Sequence, residues 1–215
     1  MEIKACLFDL DGVLVDTAKY HYIAWKKLAN NLGFDFTEAE NERLKGVSRM
    51  ASLDILLEIG NIRLSENDKI KYATQKNDLY VSYINNMLPD EILPGAKEYL
   101  TTLKLNDIKV ALGSASKNAM AILDRLNLTS LFDAIIDGTK VSNAKPDPEV
   151  FLKGAIELGL RPEQCVVFED AEAGVDAAIA GGMKCIGIGS PTNLGKANLV
   201  ISGLHEMTLS LLKKL

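Results

Sequence analysis

Cysteine is scarce in this chain. Its 215 residues include only Cys6, Cys165 and Cys185, an odd number at no motif spacing, which argues against a disulfide framework and against a zinc site. Each falls in an apolar, strand-like run and is expected to be a small buried hydrophobe in a reducing compartment. Long apolar runs are missing too, since none approaches the ~20 residues of a membrane-spanning helix. The apolar start of the chain is interrupted by Asp9 and Asp11, and no cleavage site follows, so a secretory signal is not expected there. Positive charge is not in excess either. The net charge of −5 offers no general attraction for nucleic acid or an acidic membrane, and an anionic substrate would need local counter-charges. These absences lead to the expectation of a cytoplasmic protein with no nucleic-acid and no membrane partner.

What the chain does have is the composition of a globular protein, 47% hydrophobic and 25% charged, at a length ample for a sizeable core. The stretch LFDLDGVLVDT, residues 7–17, organises it. Ile3, Ala5, Cys6, Leu7 and Phe8 form an almost continuous apolar run, as expected of a strand buried on both faces. Asp9 and Asp11 follow two apart, so their carboxylates should leave the strand end on the same side. Gly12 supplies a backbone able to turn away. Adjacent like charges favour a bound cation or a raised pKa in one of them. One carboxylate could bind metal or act as nucleophile while its neighbour handles protons. Taken alone, the pattern equally suits a polar strand end with Asp in a turn.

Beyond Thr17 the periodicity is helical, with Ala18, Tyr22, Trp25, Ala29 and Leu32 on one face and Gly33 as a stop. Helices are also predicted over 37–44, 48–59 and 65–87, with Thr37–Glu40 and Ser65–Asp68 as capping pairs. From Pro94 the rhythm alternates. A helix opened by Pro94 precedes a strand over 108–112, and a helix carrying Ala119, Ile122, Leu123 and Leu126 precedes a strand over 134–136. A helix opened by Pro148, a strand over 165–168, a helix over 171–180, strands over 185–188 and 199–201 and a helix from Thr208 complete the chain. This pattern predicts an α/β fold, a doubly wound parallel sheet built from residues 1–16 and 89–215. Residues 17–88 form an all-helical insertion.

Ligands of such sheets bind beyond the carboxyl ends of the strands. Those ends deliver Asp9 and Asp11, then Ser114, then a loop with Lys145, then Glu169 and Asp170. Singly, each has a plain alternative: an N-cap serine, a solvated loop lysine, an acidic pair favoured by a helix dipole. Together, at four strand ends, they describe a site. Asp9, Glu169 and Asp170 offer oxygens to one hard cation, which suits magnesium. A carboxylate nucleophile, magnesium, a hydroxyl and a lysine suit phosphoryl transfer. Lys145 and the metal would neutralise phosphoryl oxygens and Ser114 would donate a hydrogen bond to one. Asp9 would attack phosphorus in line, and Asp11 would protonate the leaving oxygen and later deprotonate the acceptor.

At this point the sequence resembles the haloacid dehalogenase superfamily, whose four motifs stand here in order: DLDG at Asp9–Gly12, Ser114, Lys145 in KPDP, and Glu169–Asp170 in FEDAEAG. The resemblance implies a Rossmann-like core with an inserted helical cap, and magnesium at Asp9, Asp11, Glu169 and Asp170. Further matches are LKGVSR over 44–49 followed by Ser52, Asp16–Thr17 with His21 and Trp25, KND over 76–78, and SASKN over 114–118. These resemble the β-phosphoglucomutase subfamily. By that likeness Arg49, Ser116, Lys117 and Asn118 would hold the non-reacting phosphate. Gly46, Val47, Ser48 and Ser52 would face the sugar, with Trp25 and Ala115 also at the substrate. Thr17, His21 and Lys76 would form the hinge that couples cap closure to Asp11. One departure is Gly113, where the likeness leads to a small residue such as Ala; a slightly looser strand end is expected.

The resemblance implies a monomeric mutase that interconverts β-D-glucose 1-phosphate and glucose 6-phosphate through β-glucose 1,6-bisphosphate and phospho-Asp9. A sugar-phosphate phosphatase would use the same core with water as acceptor. A phospho-accepting signalling domain would share the acids, hydroxyl and lysine, but would need neither the helical insertion nor Asp11.

Overall fold

The computed structural model describes residues 2–44 and 47–215. The apolar run Ala5–Phe8 is strand β1, and all four of its residues are fully buried. It pairs in parallel with β2 (Lys109–Gly113) on one side and β4 (Cys165–Glu169) on the other. With β3 (Ala134–Ile136), β5 (Lys184–Ile188) and β6 (Leu199–Ile201) the sheet runs β3-β2-β1-β4-β5-β6, every pair parallel. The order reverses at β1, so the crevice expected at such a switch point opens beside Asp9.

Alternation along β1 sends neighbouring side chains to opposite faces. Cys6 and Phe8 join one apolar cluster with Val110, Leu112, Val166 and Phe168, covered by Tyr99, Leu100 and Leu103 of α5 (Ala96–Lys104) and Ile122 and Leu123 of α6 (Ala119–Arg125). Ala5 and Leu7 join the other with Ala111 and Val167, covered by Phe151 of α7 (Glu149–Leu158) and Val175 of α8 (Glu172–Ala180). Both faces are therefore packed, as a parallel sheet requires. The Phe8 and Phe168 rings stack with centroids 4.6 Å apart. Cys6, Cys165 and Cys185 are free and buried.

The segment after β1 is helical: α1 (Ala18–Asn31), α2 (Glu38–Asn41), α3 (Arg49–Ile59) and α4 (Glu66–Ile84). It has an apolar cluster of its own, in which Trp25, Leu28 and Phe36 meet Leu53, Leu56 and Ala73. The local signals act as expected. Thr37 and Glu40 form a capping box, Ser48 and Ser65 cap α3 and α4, and Gly33 follows α1 at φ +94°. The helix predicted over 37–44 changes character, because α2 tightens into a 3-10 turn over Glu42–Leu44. The two crossings back to the sheet are tied together: Asp16 N–H donates to Glu91 O and Leu93 N–H to Leu14 O, both at 2.9 Å. Glu91 also accepts from Tyr20, from Lys19 at 2.7 Å and from the Leu88 amide at 2.8 Å.

One sequence expectation needs correction. Pro94 does not open a helix; α5 begins at Ala96 behind Gly95, whose φ of +81° and closeness to the His205 backbone leave no room for a side chain. The last helix, α10 (Leu209–Leu212), starts where expected, the Thr208 hydroxyl accepting from the Leu211 amide. A four-residue helix, α9 (Pro191–Leu194), was invisible, since one turn carries no periodicity to read.

Candidate active site

The backbone of Asp9 continues the ladder, its N–H bonding to Phe168 O at 3.0 Å, and the chain then turns at Gly12. Gly12 has φ +81°, and a Cβ built on it would collide with the Asp170 carboxylate. Glycine is thus required both by the turn and by the approach of the β4 loop. The Asp9 and Asp11 side chains leave the strand end as the alternation dictates. Asp9 meets Lys145, whose Nζ lies 2.6 Å from Asp9 Oδ1 and also bonds Glu169 Oε1. Asp11 accepts a hydrogen bond from Thr17, the fully buried residue just before α1.

Burial opposes the Lys145 charge, but Asp9 and Glu169 outweigh it and hold the ammonium above the usual lysine range. Asp11 goes the other way: burial, then the neighbouring charge of Asp9, push its pKa up to about 7. The Asp9–Asp11 pair is therefore split, one carboxylate matched to a cation and one poised to exchange a proton near neutrality.

Glu169 stands behind Lys145, its Oε2 accepting from Ala171 N–H at 3.0 Å, and α8 starts so close that a Cβ at Gly174 would strike its carboxylate. The Lys145 ammonium also sits 4.7 Å from the centre of the Phe151 ring. That ring accounts for Gly113: a Cβ there would lie 2.7 Å from Phe151. Rather than loosening the strand end, the missing side chain admits the aromatic floor beneath Lys145.

At the end of β2, Ser114 and Ser116 fold the backbone through side-chain turns. Ser116 N–H donates to Ser114 Oγ at 3.1 Å and Asn118 N–H to Ser116 Oγ at 3.2 Å. On the helical side, Lys76 of α4 donates to His21 Nδ1 at 2.9 Å and lies 4.5 Å from the Trp25 ring centre and 4.9 Å from that of Tyr80. Lys76 is turned inward, 4% exposed, whereas Lys71 on the same helix is exposed. Burial, then the charge of Arg49, bring its pKa down to about 7. Burial followed by the Lys76 and Arg49 charges keeps His21 neutral, well below the usual histidine range.

These groups face one cleft of about 270 Å³. Its sheet side carries Asp9, Asp11, Ser114, Ala115, Ser116, Lys117, Asn118, Lys145 and Asp170; its helical side carries His21, Trp25, Val47, Ser48, Arg49, Ser52 and Lys76. Thr17 and Glu169 stand behind the wall, and Gly46 lies outside the described residues. The cleft also brings in residues the sequence reading missed, notably Asn77, Tyr80 and the Ser142–Asn143 stretch of the Lys145 loop. Tyr80 could have been found, being four residues from Lys76 on one helix face; the loop carries no such signal.

Among the described residues, no three His, Cys, Asp or Glu side chains gather closely enough to enclose a metal by themselves. Asp9 and Asp170 both offer carboxylate oxygens to the cleft, and only a glycine at position 12 leaves room for the Asp170 carboxylate. One or two carboxylates, with water and phosphate oxygens completing the shell, is the donor set magnesium accepts.

A family model described as haloacid dehalogenase-like hydrolase matches residues 3–182. The chain is 41% identical over 212 residues to a β-phosphoglucomutase of Bacillus subtilis, spanning 98% of this chain and 94% of that one. It superposes on the crystal structure of β-phosphoglucomutase from Clostridium difficile with a TM-score of 0.94 and 45% identity, covering 99% and 96% of the two chains. It is also 36% identical over 201 residues to a phosphorylated carbohydrates phosphatase of Thermotoga maritima, 92% of this chain and 90% of the other.

Proposed function

The chain belongs to the haloacid dehalogenase-like hydrolase family, and from that premise we propose that it is a phosphomutase, interconverting β-D-glucose 1-phosphate and glucose 6-phosphate. The observation that carries this reading is one cleft lined by groups enough for two phosphates. Asp9, Asp11 and Lys145 provide for the reacting phosphate, and Arg49 of the helical side with Lys117 and Asn118 of the sheet side provide groups for a second. A mutase handles a substrate that carries phosphate at both ends during turnover, so it needs both.

In this reading residues 17–88 act as a cap over a core of residues 1–16 and 89–215. Asp9 attacks phosphorus in line and becomes an aspartyl phosphate while Asp11, protonated, gives its proton to the leaving sugar oxygen. Asp11 then takes the proton from the hydroxyl that accepts the phosphoryl group. Lys145, held by Asp9 and Glu169, stabilises the negative charge developing on the phosphoryl oxygens, and the Ser114 hydroxyl donates to one of them. Arg49, Ser116, Lys117 and Asn118 hold the other phosphate, a task suited to the forked guanidinium. Val47, Ser48, Ser52 and Ala115, with Gly46, border the sugar, and Trp25 excludes water. Thr17, His21 and Lys76 set the orientation of Asp11. Asp9 and Asp170, with Asp11 and Glu169 beside them, would hold magnesium, which neutralises charge at the transferring phosphate when bound. The expected enzyme is a cytoplasmic monomer with no nucleic-acid or membrane partner, in keeping with its net charge of −5.

The relative from Thermotoga maritima supports one second reading, a phosphatase acting on sugar phosphates with water as acceptor. Incubation with a panel of phosphosugars and magnesium separates the two. Isomer formation supports the mutase, and stoichiometric release of inorganic phosphate without isomer overturns it.

A further inference from the structure

A hydrogen bond joins the two sides of the cleft. Asn118 follows β2 and precedes α6; its side-chain NH₂ donates to the side-chain oxygen of Asn77, on α4, at 3.0 Å. The two residues are 41 positions apart in sequence, and both line the cleft. The Asn118 backbone is held separately, through its N–H to Ser116 Oγ. Its amide is thus anchored at the root and steered at the tip by Asn77.

The steering has a chemical consequence. A side-chain amide presents either its oxygen or its NH₂, and only the NH₂ attracts an anion. An acceptor at Asn77 takes one of the two N–H groups of Asn118 and leaves the second for a ligand. It also disfavours the flipped amide, which would set oxygen against oxygen. Asn77 sits next to Lys76, which is pinned to His21 at 2.9 Å, so the steering oxygen is carried on an anchored part of the helix.

We propose that Asn77 is a positioning residue for the distal phosphate: it holds the Asn118 amide with NH₂ toward the anion, and because it belongs to the cap it makes phosphate binding and cap closure favour one another. This rests on the mutase reading and assigns a task to a residue that reading leaves unused. The coupling is reciprocal, as any linkage between two equilibria must be.

Trp25, the only tryptophan, lies in the cleft wall and is 2% exposed, so its fluorescence reports cleft occupancy without reference to turnover. The experiment is a titration with glucose 6-phosphate, in magnesium buffer, of wild type, Asn77→Ala, Asn118→Ala and the double variant. Alanine suits the middle of α4, and thermal melts check the fold. Loss of one hydrogen bond of this kind should weaken binding by about 3–10-fold in each single variant. The double variant should be no weaker than Asn118→Ala alone, because the two residues act through one bond. Effects that multiply, or unchanged affinity in Asn77→Ala beside a wild type that binds, would overturn the inference alone. Wild type that neither binds nor converts any phosphosugar would overturn the mutase reading and this inference with it.

Discussion

At the scale of single residues, the site works by separating two carboxylates that the sequence sets side by side. Asp9 is matched to a buried ammonium, whereas half-buried Asp11 accepts from a threonine hydroxyl. Asp11→Asn should therefore slow turnover by roughly 10²–10⁴ with KM nearly unchanged. Steady-state kinetics check this, and a raised KM at constant kcat would make Asp11 a binding residue. The same residue predicts a pH effect on stability. Its folded pKa of about 7 lies above the ordinary 3.8, so between those values the folded protein keeps a proton that the unfolded chain has released. The stability this supplies is fully present below pH ~3.9 and is lost as pH rises through about 7. In EDTA, the melting temperature of wild type should fall relative to that of Asp11→Asn between pH 5 and pH 8. A gap that stays constant would contradict the raised pKa.

At the scale of elements, the groups proposed for catalysis sit where strands end and the backbone must turn at once. Gly12 makes one of these turns, left-handed and pressed against Asp170. Gly12→Ala adds strain of about 1–2 kcal/mol from the left-handed conformation alone and drives the Asp170 carboxylate away. Urea denaturation should show a loss of at least that size, and activity at limiting magnesium should fall more than activity at saturating magnesium. Equal losses at both concentrations would mean that Asp170 does not serve the metal. On the helical side, Thr37, Ser48 and Ser65 were readable as starts because a hydroxyl before a helix has a single evident use.

At the scale of the whole molecule, the proposed function calls for a helical unit that closes over a sheet. If Arg49 holds the distal phosphate from the cap, Arg49→Ala and Arg49→Lys should both reduce isomerisation of β-glucose 1-phosphate by roughly 30- to 1,000-fold, the loss of a fixed charged donor. Hydrolysis of phospho-Asp9 needs no such clamp and should fall much less. The ratio of glucose 6-phosphate to inorganic phosphate measures the difference, and an unchanged ratio would remove Arg49 from acceptor selection. Chelation by EDTA should abolish turnover and added magnesium restore it. Metal-independent activity would remove the proposed role of Asp9 and Asp170 as ligands.

The sequence by itself determined the doubly wound sheet, the place of the helical insertion and the carboxylates, serine and lysine at the strand ends. These follow from local rules: a period of two or of 3.6, turn residues at fixed places, and the convergence of parallel strand ends on one crevice. Tertiary structure decided which side chains of a given chemistry face inward. Lys76 and Lys71 lie about 140° apart round one helix, and packing of α4 against Trp25 selects the face of Lys76 for the cleft and leaves Lys71 exposed. Gly113 read as a small flaw until the Phe151 ring was seen to need its space. The Asn77–Asn118 bond likewise spans 41 residues with no pattern between them. Such contacts depend on how two units with separate cores meet, and no local periodicity encodes that meeting.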